Sequence, residues 1–244
     1  MTRAILRPYG VRAAPSVLPE RMDAETDFAA FRDTVASLAG VNRMTMGYRP
    51  LTRFLQGALA GRATRAPLRV LDVGSGYGDG VRAAAAFLEA RGVPAEIVGV
   101  DRNPHAAAAA RDVTRRYEGV TVAYVTEDVF AHTEHAAPYD LVLSALFTHH
   151  LEDDEVVRFL TWMDGTAQGG WLVNDLYRSR LAASGFGVLA RLTRRHAHVR
   201  HDGPVSFARS FRRADWDRLL GEAGVTDARI GVLAPFRLCV WKHG

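Results

Sequence analysis

Cysteine is almost absent from this 244-residue chain. Cys239 stands alone, so no disulfide can form within the chain, and a cytoplasmic protein is expected. Lysine is as scarce: Lys242 is the only one among 31 basic residues, the rest being arginine. That skew reads as GC-rich, bacterial coding rather than a functional choice. No apolar run approaches the length of a membrane span. Met1 to Pro8 is too short and too broken by Arg and Pro for a signal segment. No internal repeat or low-complexity segment appears. The net charge of +4 is small and dispersed, which gives little reason to expect a polyanionic partner. What is there is a chain 48% hydrophobic, of ordinary globular make-up, with ample core for one domain.

The informative stretch is Gly74-Ser75-Gly76-Tyr77-Gly78, entered from Val70-Leu71-Asp72-Val73 and followed by an Ala-rich run. It reads as a strand ending in a turn tight enough to need glycine, then a helix whose first N–H groups face that turn. Asp101, 21 residues after Gly80, ends a second apolar run, Ile97-Val98-Gly99-Val100. A carboxylate at such a strand tip accepts hydrogen bonds from ribose hydroxyls. Together these predict a nucleoside-binding βαβ unit. A dinucleotide fingerprint would place its third glycine at position 79. Asp79 stands there instead, and would repel a pyrophosphate lying on the helix N-terminus. A cationic sulfonium cofactor with an amino-acid tail meets no such objection.

The string Leu71-Asp72-Val73-Gly74-Ser75-Gly76-Tyr77-Gly78 resembles the first motif of class I S-adenosylmethionine (SAM) dependent methyltransferases, over about residues 40–180 and the last two strands. The resemblance implies a Rossmann-like α/β fold: a mostly parallel seven-stranded sheet with an antiparallel last strand and helices on both faces. It also implies SAM as cofactor and S-adenosylhomocysteine (SAH) as product. Asp72 would orient the glycine loop and the cofactor's amino group. The acid of Glu127-Asp128-Val129 would accept from the adenine amine while the Val129 N–H donates to the ring. The cofactor-binding set so expected is Arg43, Asp72, Gly74, Ser75, Gly76, Tyr77, Asp101, Arg102, Asp128, Val129 and Ser144. Arg43, or Arg49, enters it as a holder of the cofactor's carboxylate.

The periodicity predicts a loose arm over residues 1–20, which carry four Pro or Gly, and helices over 27–38 and 50–59 that cap the cofactor. Residues 1–60 are thus arm and helical cap, and 61–244 the core. Strands are expected at 69–73, 96–101, 121–125, 139–143 and 170–174, and helices at 79–91, 104–117 and 152–165. Asn103-Pro104 supplies an N-cap and first-turn pair for the second of these helices. The alternation implies a parallel sheet. A basic, lid-like insertion follows over about 176–210, then a helix at 215–223 and strands near 228–233 and 236–242.

Chemistry is expected beyond the fourth strand. Ser144-Ala145-Leu146-Phe147 lacks the Asn- or Asp-Pro-Pro-aromatic clamp of amino-methylating nucleic-acid enzymes and the paired glutamates of protein-arginine enzymes. Cys239 lies too far along the chain to serve as a pyrimidine nucleophile. An imidazole suits the removal of a phenol or enol proton near neutral pH, so His149 and His150 are the candidate bases, not separable from sequence. Tyr48, Phe147, Asn174 and Asp175 are expected on the substrate. Asn174-Asp175 resembles part of the Mg²⁺ site of catechol-type enzymes, but Ser144 replaces the partner carboxylate, so no metal is expected. Arg191 to His201 is strongly basic yet has no interleaved aromatic, which argues against a single-strand nucleic-acid platform.

Asn42–Pro50, Phe147–Leu151, Trp171–Leu176 and His201–Ser206 further resemble bacterial methyltransferases of polyketide and phenolic-lipid pathways. The expectation is methyl transfer to the oxygen of a small phenolic or polyketide-type molecule, free or on a carrier protein, by a monomer or homodimer. Transfer to an electron-rich carbon, an RNA methyltransferase and a non-catalytic nucleoside-binding module remain as alternatives.

Overall fold

In a computed structural model of the chain, residues 9–21, 27–60, 66–135, 138–192, 197–233 and 235–244 are described. One sheet organises them. Strands β1 (Leu68–Val73), β2 (Ala95–Asp101), β3 (Val120–Thr126), β4 (Tyr139–Ala145) and β5 (Ala167–Leu176) are parallel. They are joined by β6 (Arg229–Leu233) and by β7 (Arg237–His243), which runs antiparallel to both β5 and β6. The strand order is β3-β2-β1-β4-β5-β7-β6. The direction of winding reverses between β1 and β4, and open α/β sheets place their ligands in the crevice above that point.

The strands are buried on both sides because their side chains alternate between two cores. Leu68 and Val70 pack with Phe54 and Leu55 of α2 (Arg49–Leu59) and Leu88 of α3 (Asp79–Glu89). Leu71 and Val73 face the opposite core, with Phe159 of α6 (Asp153–Thr166) and Trp216 of α9 (Arg213–Glu222). In α3 the buried residues Val81, Ala84, Ala85 and Leu88 fall on one helical stripe.

Several boundaries differ from the sequence expectation for identifiable reasons. The helix expected over 104–117 is α4 (Pro104–Val113), begun by Asn103 accepting from His105 N–H. It stops because Thr114 turns extended and its hydroxyl bonds Ala110 O at 2.7 Å. The strand expected over 170–174 is the ten-residue β5, paired along its C-terminal half with β7. A helix absent from the sequence reading, α5 (Val129–His135), starts where Asp128 Oδ1 accepts from Phe130 N–H. The first helix, α1 (Phe28–Met44), runs six residues beyond its expected end, to the turn at Thr45.

Two larger corrections concern the arm and the insertion. Described residues 9–21 are not loose. Arg12 donates to the carbonyls of Leu151 and Arg209 and pairs with Asp153, while Glu20 is buried and accepts from Ser206 Oγ. The insertion is a helical pair, α7 (Arg180–Leu192) and α8 (Ala197–Arg209). Ala183, Phe186, Phe207 and Ala208 form a core with Tyr9 and Val41, so the pair braces α1 from behind. None of its described side chains lines the cavity treated below. The side chains of 191–198, most of the basic cluster, lie outside the described residues.

Candidate active site

The glycine loop after β1 is built as its spacing requires. Gly74, Gly76 and Gly78 all have positive φ, at 68°, 48° and 70°. A Cβ on Gly74 would sit 2.6 Å from the Phe147 ring, so that glycine allows the loop to lie against the residue following β4. Gly76 faces open space. Asp101, at the tip of β2, accepts from Gly76 N–H through Oδ2 and from Asn103 N–H through Oδ1, each at 2.8 Å. Burial raises its pKa, and those two hydrogen bonds with the nearby His150 hold part of the rise back. The residue expected to hold a ribose therefore also fastens the loop. Asp101→Ala should weaken cofactor binding by about 1–3 kcal/mol through the polar groups left unpaired; calorimetry with SAH reads this, and tight NAD binding in its place would sink the nucleoside assignment.

Three carboxylates gather here. Asp72 is buried and takes no hydrogen bond from any described residue. Its pKa is pushed up to about 8 by burial, with Asp79 and Asp101 adding to the rise. Asp79, in the first turn of α3, accepts at Oδ2 from Tyr48 Oη at 2.8 Å and from Asn42 Nδ2 at 3.0 Å. Such a site favours a cation. Because Asp72 is raised in the folded state, it binds its proton more tightly folded than unfolded. Its contribution is therefore fully present below pH ~4 and lost as pH rises to ~8. The thermal midpoint of Asp72→Asn should gain on the wild type over that window and level off above it. Saturating SAH, which carries an ammonium, should narrow the gap; a pH-independent difference would refute the assignment.

A cavity of about 620 Å³ opens above the strand ends, within the range that holds cofactor-sized ligands. It brings together Asp72, Gly74, Ser75, Gly76, Tyr77, Asp101, Arg102, Asp128, Val129 and Ser144 from the expected cofactor set. Arg43 is excluded: it is exposed and lines no part of the cavity. Phe31, Val35 and Leu38 of α1 and Leu51 of α2 supply an apolar wall. Tyr48, Phe147 and Asn174 of the expected substrate set also line it. Asn174 is committed to protein partners, donating from Nδ2 to Gly47 O at 3.0 Å. Leu146 lines the cavity with φ 55°, a backbone strain of the kind that collects at functional sites.

The two histidines separate. His150 is half-buried and lines the cavity; His149 is buried and does not. Asp175 turns away from the cavity too, correcting its expected substrate role, because the turn formed by residues 148–150 draws its carboxylate inward. Oδ2 accepts from Thr148 Oγ1 at 2.6 Å and from His149 N–H at 3.0 Å, while Oδ1 meets His149 Nδ1 at 2.8 Å and Leu176 N–H at 2.7 Å. Burial alone would raise the Asp175 carboxyl, but these contacts, His149 foremost, hold it well below the usual range. His149 Nε2 lies 3.6 Å from Glu20 Oε1, itself 3.5 Å from Arg209 Nη1.

Glu20, His149 and His150 bring ligand atoms within 4.8 Å of one another. Arg209 already supplies a positive charge there, and Ser206 donates to the same Glu20 oxygen. Cys239 is buried, with its thiol pushed up to about 12 by burial and so not a nucleophile. Sequence reasoning missed Asn42 and Arg237, which line the cavity. An asparagine beside a helix end and one arginine among thirty carry no distinguishing signal.

Residues 70–168 match a family model described as a methyltransferase domain. No curated protein sequence is significantly similar to the chain. Among solved structures, the plantazolicin methyltransferase BpumL, in complex with a monoazolic desmethylPZN analog and SAH, aligns with a TM-score of 0.62. It shares 16% identity, over 86% of this chain and 89% of that one. Magnesium protoporphyrin IX methyltransferase from Synechocystis PCC 6803, with bound SAH, has a TM-score of 0.52 at 17% identity, over 80% and 83%. The CMeT domain of the citrinin polyketide synthase has a TM-score of 0.55 at 15% identity, over 78% of this chain and 50% of that domain. The family model thus spans residues 70–168 of the 244, and these solved structures share the fold described above.

Proposed function

We propose that this protein transfers the methyl group of SAM to the oxygen of a small, partly apolar acceptor of phenolic or polyketide type, with His150 as the base. The observation that carries the reading is one cavity lined by the glycine loop and Asp101, by the apolar wall of α1 and α2, and by His150. In-line transfer then draws most of its rate from alignment of the acceptor oxygen with the sulfonium methyl in a dry pocket. The acids at positions 72, 79 and 101 favour the cationic donor over neutral SAH. His150 Nε2 or Nδ1 takes the acceptor's proton as the C–O bond forms and the S–C bond breaks. Mass spectrometry of incubations with SAM and a panel of phenols and β-dicarbonyl compounds tests this. The expected product gains one methyl on oxygen, with SAH formed in equal amount. Methylation on carbon, or only on RNA, would replace the proposal.

The reaction is further proposed to need no metal, since Ser144 stands where a carboxylate would complete a site with Asn174 and Asp175, and hard cations need several oxygen ligands. Turnover should survive EDTA unchanged. Activity abolished by EDTA and restored by Mg²⁺ would overturn this.

A further inference from the structure

Among the described residues, three buried side-chain atoms have no hydrogen-bond partner: Arg178 Nε, Trp216 Nε1 and Arg237 Nη1. The first two are readily placed. Arg178 has its charge answered by Asp215, 3.0 Å from Nη1, and Trp216 is uncharged. Neither lines the cavity. Arg237 does, is 5% exposed, and makes no ion pair with any described residue. A buried charge without a counter-charge is among the costliest arrangements in a fold. Asp175 and Asp79 act on it only through space; both oxygens of Asp175 and Oδ2 of Asp79 are held by the partners named above.

The surroundings of Arg237 are shaped to hold it in this state. Its Nη2 donates to Asn42 Oδ1 at 2.8 Å, while Asn42 Nδ2 donates to Asp79. A Cβ on Gly47 would stand 2.7 Å from Nη2, so the glycine makes room for the guanidinium. One edge of the fork is thus fixed by the α1–α2 turn and the other is left for a ligand. Asp72 lines the same cavity, buried and with no donor among the described residues. A carboxyl group without a donor and a guanidinium without a counter-charge lining one cavity complement a ligand that carries both an ammonium and a carboxylate.

We propose that Arg237 is an oxyanion receptor, its Nη1 donating to an anionic oxygen of the bound ligand. This rests on the proposed function. Two sources share the chemistry: the α-carboxylate of the methionine tail of SAM, and a carboxylate on the acceptor. The strand order favours the first. β2 and β7 are four strand spacings apart, about 19 Å at the usual interstrand distance. A cofactor with its ribose on Asp101 extends its tail over β1 and β4 towards Arg237.

Calorimetry decides it, with SAH, decarboxylated SAM and benzoate titrated into wild type, Arg237→Met and Arg237→Lys. For the cofactor source, Arg237→Met binds SAH about 10–100-fold more weakly, the span of a charged hydrogen bond, with decarboxylated SAM unchanged and partial recovery in Arg237→Lys. For the acceptor source, both cofactor ligands bind Arg237→Met as they do wild type, and benzoate loses its affinity for the SAH complex. Equal binding of all three to wild type and Arg237→Met overturns the proposal. Wild type that fails to bind SAH or decarboxylated SAM would instead overturn the cofactor assignment, leaving the benzoate arm to decide Arg237. The unliganded Arg237→Met protein should melt at or above the wild-type temperature, since it loses an unanswered charge. A merely structural arginine would lower it.

Discussion

His150→Gln should lower kcat by about 10²–10⁴-fold, the usual contribution of a general base, with SAH affinity close to that of wild type. Glutamine keeps much of the ring's volume and one hydrogen-bonding edge but cannot accept a proton near neutral pH. His150 is half-buried on the cavity wall, where an acceptor reaches it. His149→Gln should behave otherwise, costing stability more than turnover, because that ring lies between Asp175 and Glu20. A His150→Gln enzyme turning over at the wild-type rate would mean that alignment alone suffices for an acceptor already ionised.

Asp175→Ala should destabilise the fold by about 3–5 kcal/mol, the range for breaking a buried ionic pair by removing one member. The carboxylate is fully buried and answers four donors: the Thr148 hydroxyl, the His149 ring and N–H, and the Leu176 N–H. Only the His149 ring has a second carboxylate near it among the described residues, Glu20 at 3.6 Å from Nε2. The linkage has a definite direction. Asp175 is depressed in the folded state, so its contribution is present above the unfolded carboxyl pKa of about 4 and fades as pH falls below it. Denaturant midpoints at neutral pH measure the effect. A loss under about 1 kcal/mol would show that His149 holds its place by packing alone. Asp175→Asn, which keeps an acceptor, should recover part of the loss.

Much of this was legible in the sequence, for a common reason. The glycine loop, Asp72 and Asp101 are local features: a strand tip, a turn needing positive φ and a carboxylate one βα unit on. Their spacing in the chain fixes their spacing in space. The sheet was legible because its strands are buried on both faces and read as continuous apolar runs. What escaped depends on contacts distant in the chain. Nothing local distinguishes His149 from His150; Asp175 and Glu20, on either side of His149 in the fold, make the difference. Arg43 looked suitable for a carboxylate because it sits in the cap, but the turn after α1 leaves it exposed. Arg237, one arginine among thirty, reaches the cavity because β7 inserts next to β5. The arm looked loose because its stability comes from partners beyond residue 147.

The arm also bears on the order in which the molecule assembles. Arg12 bonds Asp153, 141 residues later, and the carbonyl of Arg209, 197 residues later. Synthesis delivers the first end of each contact long before the second. The glycine loop, β1 and β2 can pair as soon as they emerge, but the Thr148–His150 turn acquires Arg209 and its strap only when α8 has been made. The glycine loop and Asp101 are therefore set by early, short-range contacts, and the histidine turn and the Arg237 corner by late, long-range ones, which are slow to close. A refolding chain should regain weak SAH binding before it regains full affinity and turnover.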